Sequence, residues 1–522
     1  MTHGGLSGSF EKWETARGER RITVGGVDGS DEIFDGTRGW LVDRNHHVRA
    51  LAGTEVTEEL AFSGLLKNVT QGKKLTITRD AQNRIATIAR QEAEKVRTMK
   101  LSDYRTVNGV DVPYAIEDGT GDPADTLVVK IDKVEVDATP PPFVRPPDPK
   151  PDWTLAPNTV LPIEMYRNLP TTEVTINGKP GTFIIDTGAE VTVINMSRVA
   201  GLGLKTVGAG SIGGGGGDIG FAYIQDVGMT MPGVELQHQT VAAVPLDAME
   251  PLFGHPIDGI LGYDFLSRFV VEIDYANKKM TLHDPATFQA TGAGVPITLE
   301  DSTAHADAKI AAGTLALTGH FTVDTGYAGE VSLNAPFVVA NDLLKAVPNT
   351  IEPPAGSAMG VGGETKSVVG RLASVEIGGL TVARPITDFG KDAVGAGADA
   401  ETQGLLGSDL WKRFVVTFDY THEKMYLVPG PKFADANDAI GTGIMWVEAA
   451  PHTIVCAGLM PKSPGVDAGL QAGDVLVTLD GKSGVTVKDA ELGELKTGDK
   501  HTFVVKRGDK QITAVVTARA IL

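Results

Sequence analysis

Two acidic triplets, Asp186-Thr187-Gly188 and Asp324-Thr325-Gly326, are the residues whose type and spacing could do chemistry. Each triplet follows an apolar run, so each carboxylate is expected at the end of a strand that fixes its position. Two carboxyl groups held about 3 Å apart cannot both ionise, and the proton that they share lets one act as base while the other acts as acid. Adding water to an amide needs both roles at once, so two such carboxyls, if brought together, could hydrolyse a peptide bond.

The triplets belong to an internal duplication in the middle of the chain. Segments 259–282 and 404–427 are identical at 13 of 24 positions. They start 145 residues apart and the two aspartates lie 138 residues apart, so the copies differ only by small insertions. Each copy also carries an apolar-apolar-glycine element, ending at Gly262 and Gly407. This self-similarity indicates two copies of one structural unit.

This combination resembles the retropepsin-like aspartic proteases, with two half-enzymes fused in one chain as in the pepsins. The resemblance implies that Asp186 and Asp324 are the catalytic pair. The supporting residues that it implies are Thr187 and Thr325, which brace the active-site loops, and Gly188 and Gly326, where the backbone approaches the carboxylates. The second copy departs from the family pattern at Tyr327, where the family has a small residue. Its segment 324–334 is also one residue longer than 186–195.

A glycine-rich stretch lies inside each copy, at 210–220 and at 356–363. The resemblance implies that these stretches are flaps that close over a substrate. The flap positions are Gly213, Gly214, Gly360, Val361 and Gly362. Glycine suits a flap because such a loop must bend and let its backbone approach a peptide closely. A phosphate-binding loop is the alternative for 213–217, but no Gly-Lys-Ser/Thr follows the glycines.

The C-terminal block, 436–522, resembles a bacterial PDZ domain. The resemblance is carried by Ser463-Pro464, Ala468-Gly469-Leu470, Gly473-Asp474 and Asp480-Gly481. It implies capture of a peptide or a protein C-terminus by strand addition. The backbone amides that would receive the terminal carboxylate are those near Gly441, Thr442, Gly443 and Ile444. A spacer or a dimer contact with an unused groove is the alternative.

The N-terminal block, 1–138, alternates apolar and polar residues in the manner of strands. Asp35-Gly36 and Asn108-Gly109 are hairpin-turn signals, and a short helix is expected at 55–66. More loosely, the block resembles the half-barrel of periplasmic lipoprotein carriers at 35–40 and 104–113. That resemblance favours an exported, periplasmic protein, although the sequence shows no secretion signal.

Composition limits the classes of partner and cofactor. The net charge of −19 argues against nucleic acid and anionic membranes as partners, because proteins bind both of them through a basic surface. Because no apolar run reaches the roughly 18 residues of a membrane span, no integral membrane segment is expected. A single cysteine, Cys456, excludes an intrachain disulfide and a thiolate metal cluster. We expect no metal site and no organic cofactor.

The length of 522 residues predicts several domains in a mainly β protein. We expect an N-terminal half-barrel-like domain at 1–138 and a proline-rich linker at 139–153. Two tandem retropepsin-like β-barrel lobes follow at 154–290 (lobe 1) and 291–430 (lobe 2), and a PDZ domain at 436–522. The short tether between the lobes favours pairing within the chain, because it raises the local concentration of one half around the other to roughly millimolar.

The predicted function is an aspartic endopeptidase that acts on peptides or proteins. The alternative is a non-catalytic peptide- or lipid-binding envelope protein that kept a degenerate protease fold. Asp264 and Asp409, in the duplicated segment, are expected to cap helix N-termini rather than to act in catalysis.

Overall fold

A computed structural model describes residues 1–522 except 54, 57–74, 93–94, 124–125, 436–437 and 494. The protein is mainly β, with 49% of residues in strands and 9% in helices, which confirms the predicted fold class. The helix expected at 55–66 falls largely outside the described residues. No helix among the described residues has both the length and the apolar character needed to cross a membrane.

The N-terminal residues form two antiparallel sheets. The strands are β1 Thr2–His3, β2 Leu6–Ser7, β3 Phe10–Glu14, β4 Arg20–Val24, β5 Ser30–Phe34, β6 Gly39–Val42, β7 Val48–Ala50, β8 Leu75–Arg79, β9 Ile85–Glu92, β10 Lys95–Val107, β11 Val110–Gly119 and β12 Leu127–Lys130. Their order is β2-β1-β12-β11-β10-β9-β8 in one sheet and β3-β4-β5-β6-β7 in the other. Asn108 and Gly109 turn the β10–β11 hairpin with φ of +47° and +82°, the positive values that a tight hairpin turn needs.

Lobe 1 is built on a sheet ordered β13-β21-β18-β22-β17-β16-β20-β19. The elements are β13 Trp153–Leu155, β14 Thr159–Pro162, β15 Glu164–Tyr166, β16 Leu169–Ile176, β17 Lys179–Ile185, β18 Val193–Asn195, β19 Val207–Gly214, β20 Gly217–Met231, β21 Val234–Val244, α1 Glu250–Phe253, β22 Gly259–Leu261, α2 Tyr263–Leu266, β23 Val270–Asp274 and β24 Lys279–His283. Trp153 already pairs with Leu236 in this sheet, and the Asp152 carboxylate accepts from Arg268, so the proline-rich spacer ends before them.

Lobe 2 repeats this plan with a sheet ordered β32-β35-β29-β36-β28-β27-β33-β34. The elements are β25 Val295–Pro296, β26 Thr298–Glu300, β27 Thr303–Ala312, β28 Leu315–Asp324, β29 Val331–Leu333, α3 Ala335–Ala340, α4 Leu343–Ala346, β30 Met359–Gly360, β31 Gly363–Glu364, β32 Ser367–Arg371, β33 Ser374–Ile377, β34 Leu380–Ala383, β35 Ile386–Gly390, β36 Gly404–Gly407, α5 Ser408–Trp411, β37 Phe414–Asp419 and β38 Lys424–Pro429. Each lobe therefore places its triplet at the end of a central strand.

A six-stranded sheet joins the lobes in the order β14-β24-β23-β37-β38-β25. Its central strands, β23 and β37, come from the duplicated segment and pair antiparallel. Val270 is equivalent to Val415 and Asp274 to Asp419 in the duplication. Val270 pairs with Asp419 and Asp274 pairs with Val415, so the pairing is symmetric about the central Glu272–Thr417 pair. This register relates the lobes by a local twofold rotation, which turns both triplets towards one cleft.

The C-terminal residues form a five-stranded sheet ordered β40-β41-β42-β43-β44 and a two-stranded one, β39-β45. The elements are β39 Ile440–Gly441, β40 Ile444–Ala450, β41 Thr453–Leu459, α6 Pro464–Asp467, β42 Val475–Leu479, α7 Val487–Ala490, β43 Lys500–Arg507, β44 Lys510–Thr517 and β45 Arg519–Ala520. Trp446 and Phe503 stack in its core, which is separate from the core of the lobes. Cys456 lies buried in that core as a free thiol, as expected for a small apolar residue.

Candidate active site

Each triplet begins where a central strand meets a parallel neighbour. Ile185 at the end of β17 pairs with Leu261 of β22, and Asp324 at the end of β28 pairs with Gly407 of β36. The loop after each aspartate passes over the glycine of the later apolar-apolar-glycine element, which is Gly262 in lobe 1 and Gly407 in lobe 2. A Cβ on Gly262 would lie 2.4 Å from the Val191 oxygen, and one on Gly407 would lie 2.3 Å from the Gly329 oxygen. The paired glycines are thus needed for the loops to pass.

The two threonines lock the loops to each other through four reciprocal hydrogen bonds. The Thr187 amide donates to Thr325 Oγ1 at 3.0 Å, and the Thr325 amide donates to Thr187 Oγ1 at 3.0 Å. The hydroxyl of Thr187 donates to the Val323 oxygen at 2.6 Å, and that of Thr325 donates to the Ile185 oxygen at 2.7 Å. Both side chains are buried, so these bonds are protected from water.

The structure brings Asp186 and Asp324 together across the lobe interface, each carboxyl against the triplet glycine of the other lobe. Each carboxylate also accepts from the glycine of its own triplet, with 2.8 Å from the Gly188 amide to Asp186 Oδ1 and 2.7 Å from the Gly326 amide to Asp324 Oδ1. A Cβ on Gly188 would lie 2.7 Å from Asp324 Cγ, and one on Gly326 would lie 2.2 Å from Asp186 Cγ. Only glycine leaves room for the opposite carboxyl.

The surroundings of the pair favour the protonated form. Burial raises the pKa of Asp186, against the lowering effect of the Gly188 amide. Burial, reinforced by the charge of Asp186, raises the pKa of Asp324 well above its ordinary value. Because the two carboxyls are neighbours, their titration belongs to the pair rather than to either residue.

Both glycine-rich stretches form hairpins whose tips meet. In lobe 1, Gly213 pairs with Asp218, and Gly214 pairs with Gly217 around the tip. In lobe 2, Gly360 pairs with Gly363 across the turn made by Val361 and Gly362. The Gly216 amide donates to the Val361 oxygen at 2.9 Å, and a Cβ on Gly362 would lie 2.0 Å from the Gly217 oxygen. The tips can approach this closely because every tip residue except Val361 is glycine.

Asp264 and Asp409 do not cap their helices, which corrects the sequence expectation. The N-cap positions are Gly262 and Gly407, and neither helix has a side-chain cap. Asp264 Oδ1 instead accepts from the Thr192 amide at 2.7 Å, which ties α2 to the loop that follows Asp186. In lobe 2, an ion pair between Glu330 and Arg413, 2.8 Å apart, braces the corresponding region. Sequence reasoning missed both braces because their partners lie more than seventy positions apart.

Tyr327, the departure in the second copy, lies beside the carboxyl pair. Its amide donates to Asp324 Oδ1 at 3.0 Å, and its hydroxyl donates to Asp388 Oδ2. The Ser367 hydroxyl donates to the other oxygen of Asp388 at 2.9 Å. Asp388 was not singled out from the sequence, since only the pairing of β35 with β29 and β32 brings it into the cleft.

The residues assigned to carboxylate binding in the C-terminal block lie at the start of its sheet. Gly441 pairs with Arg519, and Ile444 begins β40 and pairs with Leu459. The Thr442 oxygen accepts from the Gly465 amide of α6, and the Gly443 oxygen accepts from the Met460 amide just after β41, each at 2.8 Å. The four residues are thus grouped in one turn beside β40.

No group of three or more His, Cys, Asp or Glu side chains in the described part of the chain is arranged to hold a metal ion.

Comparison with known proteins gives two similarities. A family profile described as aspartyl protease matches residues 172–265, which include Asp186, the first flap and Gly262 but not Asp324. The crystal structure of an aspartic proteinase from Irpex lacteus aligns with 53% of this chain and 99% of that one, at 13% identity and a TM-score of 0.37. No curated protein matches the sequence. Residues 172–265 are thus similar to an aspartyl protease domain.

Proposed function

We propose that the protein is an aspartic endopeptidase in which Asp186 and Asp324 activate water against a peptide bond. The observation that carries the proposal is the close approach of the two carboxyls, one from each lobe, each lying against the triplet glycine of the other. The similarity of residues 172–265 to aspartyl proteases supports the same reaction. Peptide and protein substrates follow from this chemistry.

In this mechanism, the ionised carboxyl takes a proton from water as the water oxygen bonds to the peptide carbonyl carbon. The protonated carboxyl gives its proton to the carbonyl oxygen, which yields a neutral diol. The carboxyl that took the first proton then delivers it to the amide nitrogen as the C–N bond breaks. One hydroxyl of the diol gives its proton to the other carboxyl, the one that had protonated the carbonyl oxygen, so the pair regains its starting state.

The flaps would exclude water and hold an extended substrate. Their tips at Gly216 and Val361 are joined by a backbone hydrogen bond, which opens before a peptide enters. Closed flaps leave the carboxyls in a less polar environment, where a shared proton and developing charges act more strongly. β19 lies at the edge of the lobe 1 sheet, so its outward backbone groups would bind the substrate main chain.

The test is cleavage of a peptide library, with cut sites read by mass spectrometry. We expect Asp186→Asn and Asp324→Asn each to abolish cleavage, because neither variant can supply both an ionised and a protonated carboxyl. Asp226→Asn is the matched control, since Asp226 is an exposed carboxylate paired with His238 far from the cleft, and cleavage should persist. Folding is checked by thermal unfolding, and a chelator should leave cleavage unchanged.

Unaltered cleavage by folded Asp186→Asn protein would refute the mechanism. Binding of peptides without any cleavage by the wild type would favour the alternative, a non-catalytic protein on a degenerate protease fold.

We also propose that the C-terminal domain is PDZ-like and binds peptide or protein C-termini at Gly441–Ile444. In the structure lobe 1 lies against its edge strand: Arg167 Nη2 donates to the Trp446 oxygen at 2.6 Å, and Arg167 Nε pairs with Glu491 at 2.6 Å. A bound terminus would therefore compete with lobe 1 for β40. The test is titration of the full chain with a C-terminally free peptide and with its amidated form.

The lipoprotein-carrier resemblance of residues 1–138 leads us to propose an exported, periplasmic location. Fractionation of cells that express the full-length gene tests it, with the protein expected among periplasmic proteins.

A further inference from the structure

The two halves of the cleft differ in chemistry. On the lobe 1 side, Ile184, Val193, Ala242 and Ile260 belong to one apolar cluster. Partly buried side chains extend it from the active-site loop to the flap tips: Ala189, Val191, Ile219, Phe221 and Val361. A wall of this kind accepts an apolar substrate side chain.

On the lobe 2 side, the equivalent positions are polar. Tyr327 stands three residues after Asp324, as Ala189 does after Asp186. Asp388 pairs with Ser332 across β35 and β29, which matches the pairing of Ala242 with Val193 in lobe 1. The alternation of β35 points Thr387 and Phe389 into the core and leaves Asp388 on the opposite, cleft-facing side.

Asp388 is connected to the reacting pair through Tyr327. Its oxygens accept from the Tyr327 and Ser367 hydroxyls, and the Tyr327 amide donates to Asp324. All three side chains of this group are partly exposed rather than buried. A carboxylate offers about four acceptor positions, so two donors leave Asp388 able to bind a further donor from a ligand.

The group that best satisfies a half-buried carboxylate is a cation. Burial raises the pKa of Asp388, so in the free protein its charge is poorly compensated. A lysine or arginine side chain would pair with the carboxylate and keep it ionised, and the net charge of −19 favours the approach of basic peptides. A leucine side chain there would leave the remaining acceptor positions of Asp388 without a donor.

Building on the proposed protease function, we propose that Asp388, supported by Tyr327 and Ser367, is a specificity-determining subsite. It selects a lysine or arginine side chain close to the scissile bond on the lobe 2 side. The lobe 1 side selects an apolar side chain. The substrate class is thus peptides that combine a basic and an apolar residue on opposite sides of the cut.

The experiment measures kcat/KM for paired peptides that differ only in lysine or norleucine at the lobe 2 position, which the cut sites of a peptide library identify. We expect the wild type to prefer lysine. Asp388→Asn should reduce kcat/KM for the lysine peptide by about 30-fold or more and change the norleucine peptide by less than about threefold. Tyr327→Phe should give a smaller loss of the same selectivity, and exposed Asp342→Asn should change neither peptide.

The outcomes separate this inference from the proposed function. Cleavage without enrichment of lysine or arginine, or an equal loss on both peptides in folded Asp388→Asn, would overturn the subsite while leaving the protease intact. If the wild type cleaves nothing, calorimetric binding of the same two peptides decides instead. Tighter binding of the lysine peptide that is lost in Asp388→Asn or weakened in Tyr327→Phe supports the subsite, and equal binding overturns it.

Discussion

Removing the Thr187 hydroxyl should cost both stability and activity. Thr187→Val keeps the shape of the side chain but removes the donor to the Val323 oxygen and the acceptor for the Thr325 amide. A buried polar group left without its partner costs about 1–3 kcal/mol, so the two groups together predict a loss of roughly 2–6 kcal/mol in the free energy of unfolding. Because the same bonds set the separation of the two carboxyls, kcat/KM should fall by about 100-fold.

The assay combines urea unfolding with hydrogen exchange of the amides in segments 183–190 and 320–328. Thr172→Val is the matched control. Thr172 is also buried, but it donates one hydrogen bond, at 3.0 Å to the Pro162 oxygen, which is not part of the hydrogen-bond network between the two triplets. It should cost about 1–3 kcal/mol and leave kcat/KM within a few-fold.

The double variant Thr187→Val with Thr325→Val tests whether the four hydrogen bonds between the two triplet loops act as one network. Residues in one hydrogen-bond network couple by about 0.5–3 kcal/mol, so the two losses should not add. Each single variant should also raise exchange in the segment of the other lobe. Additive losses, with exchange raised only in the mutated lobe, would show that the hydroxyls act independently and would refute the reasoning.

Three further changes test other parts of the site. Gly188→Ala puts a Cβ 2.7 Å from Asp324 Cγ, so we expect cleavage to disappear and the melting temperature to fall, as measured by library cleavage and calorimetry. Glu330→Gln leaves the Arg413 guanidinium buried without its ion pair and should lower the free energy of unfolding by about 3–5 kcal/mol in urea titration. Burial raises the pKa of Asp324, so above pH about 4 the folded state holds more protons than the unfolded state, and the free energy of unfolding falls as pH rises. Asp324→Asn removes this titration, so its stability relative to the wild type should increase with rising pH. A stability difference between the two proteins that does not change with pH would contradict this.

The sequence predicts the elements that repeat within the chain. The mainly β class followed from alternating runs and hairpin signals, and the duplicated segments proved to contain the strands β23 and β37. The triplets could be read because local pattern and repetition coincide: an apolar strand, an acidic residue and a glycine recur in the same order. The structure brings the two aspartates of those triplets together.

Contacts that depend on three-dimensional register could not be read in the same way. Asp264 stands at the start of a short helix, where an acidic residue is typical of a cap, yet its carboxylate bonds to Thr192 of another loop. Asp388 sits in an ordinary strand, and only the order β32-β35-β29 brings it to Tyr327. Such pairs carry no local signal, because partners far apart in the chain are chosen by sheet topology.

The asymmetry between the copies follows from what duplication leaves free. Both lobes must keep the triplet and the later glycine. Each lobe contributes half of the hydrogen-bond network between Thr187 and Thr325, and neither lobe can form that network alone. The walls of the cleft carry no such reciprocal constraint, so one copy can hold Ala189 and Ala242 where the other holds Tyr327 and Asp388. A fused pair can therefore differ in its two subsites, which a dimer of identical chains cannot do, while the chemistry between them stays symmetric.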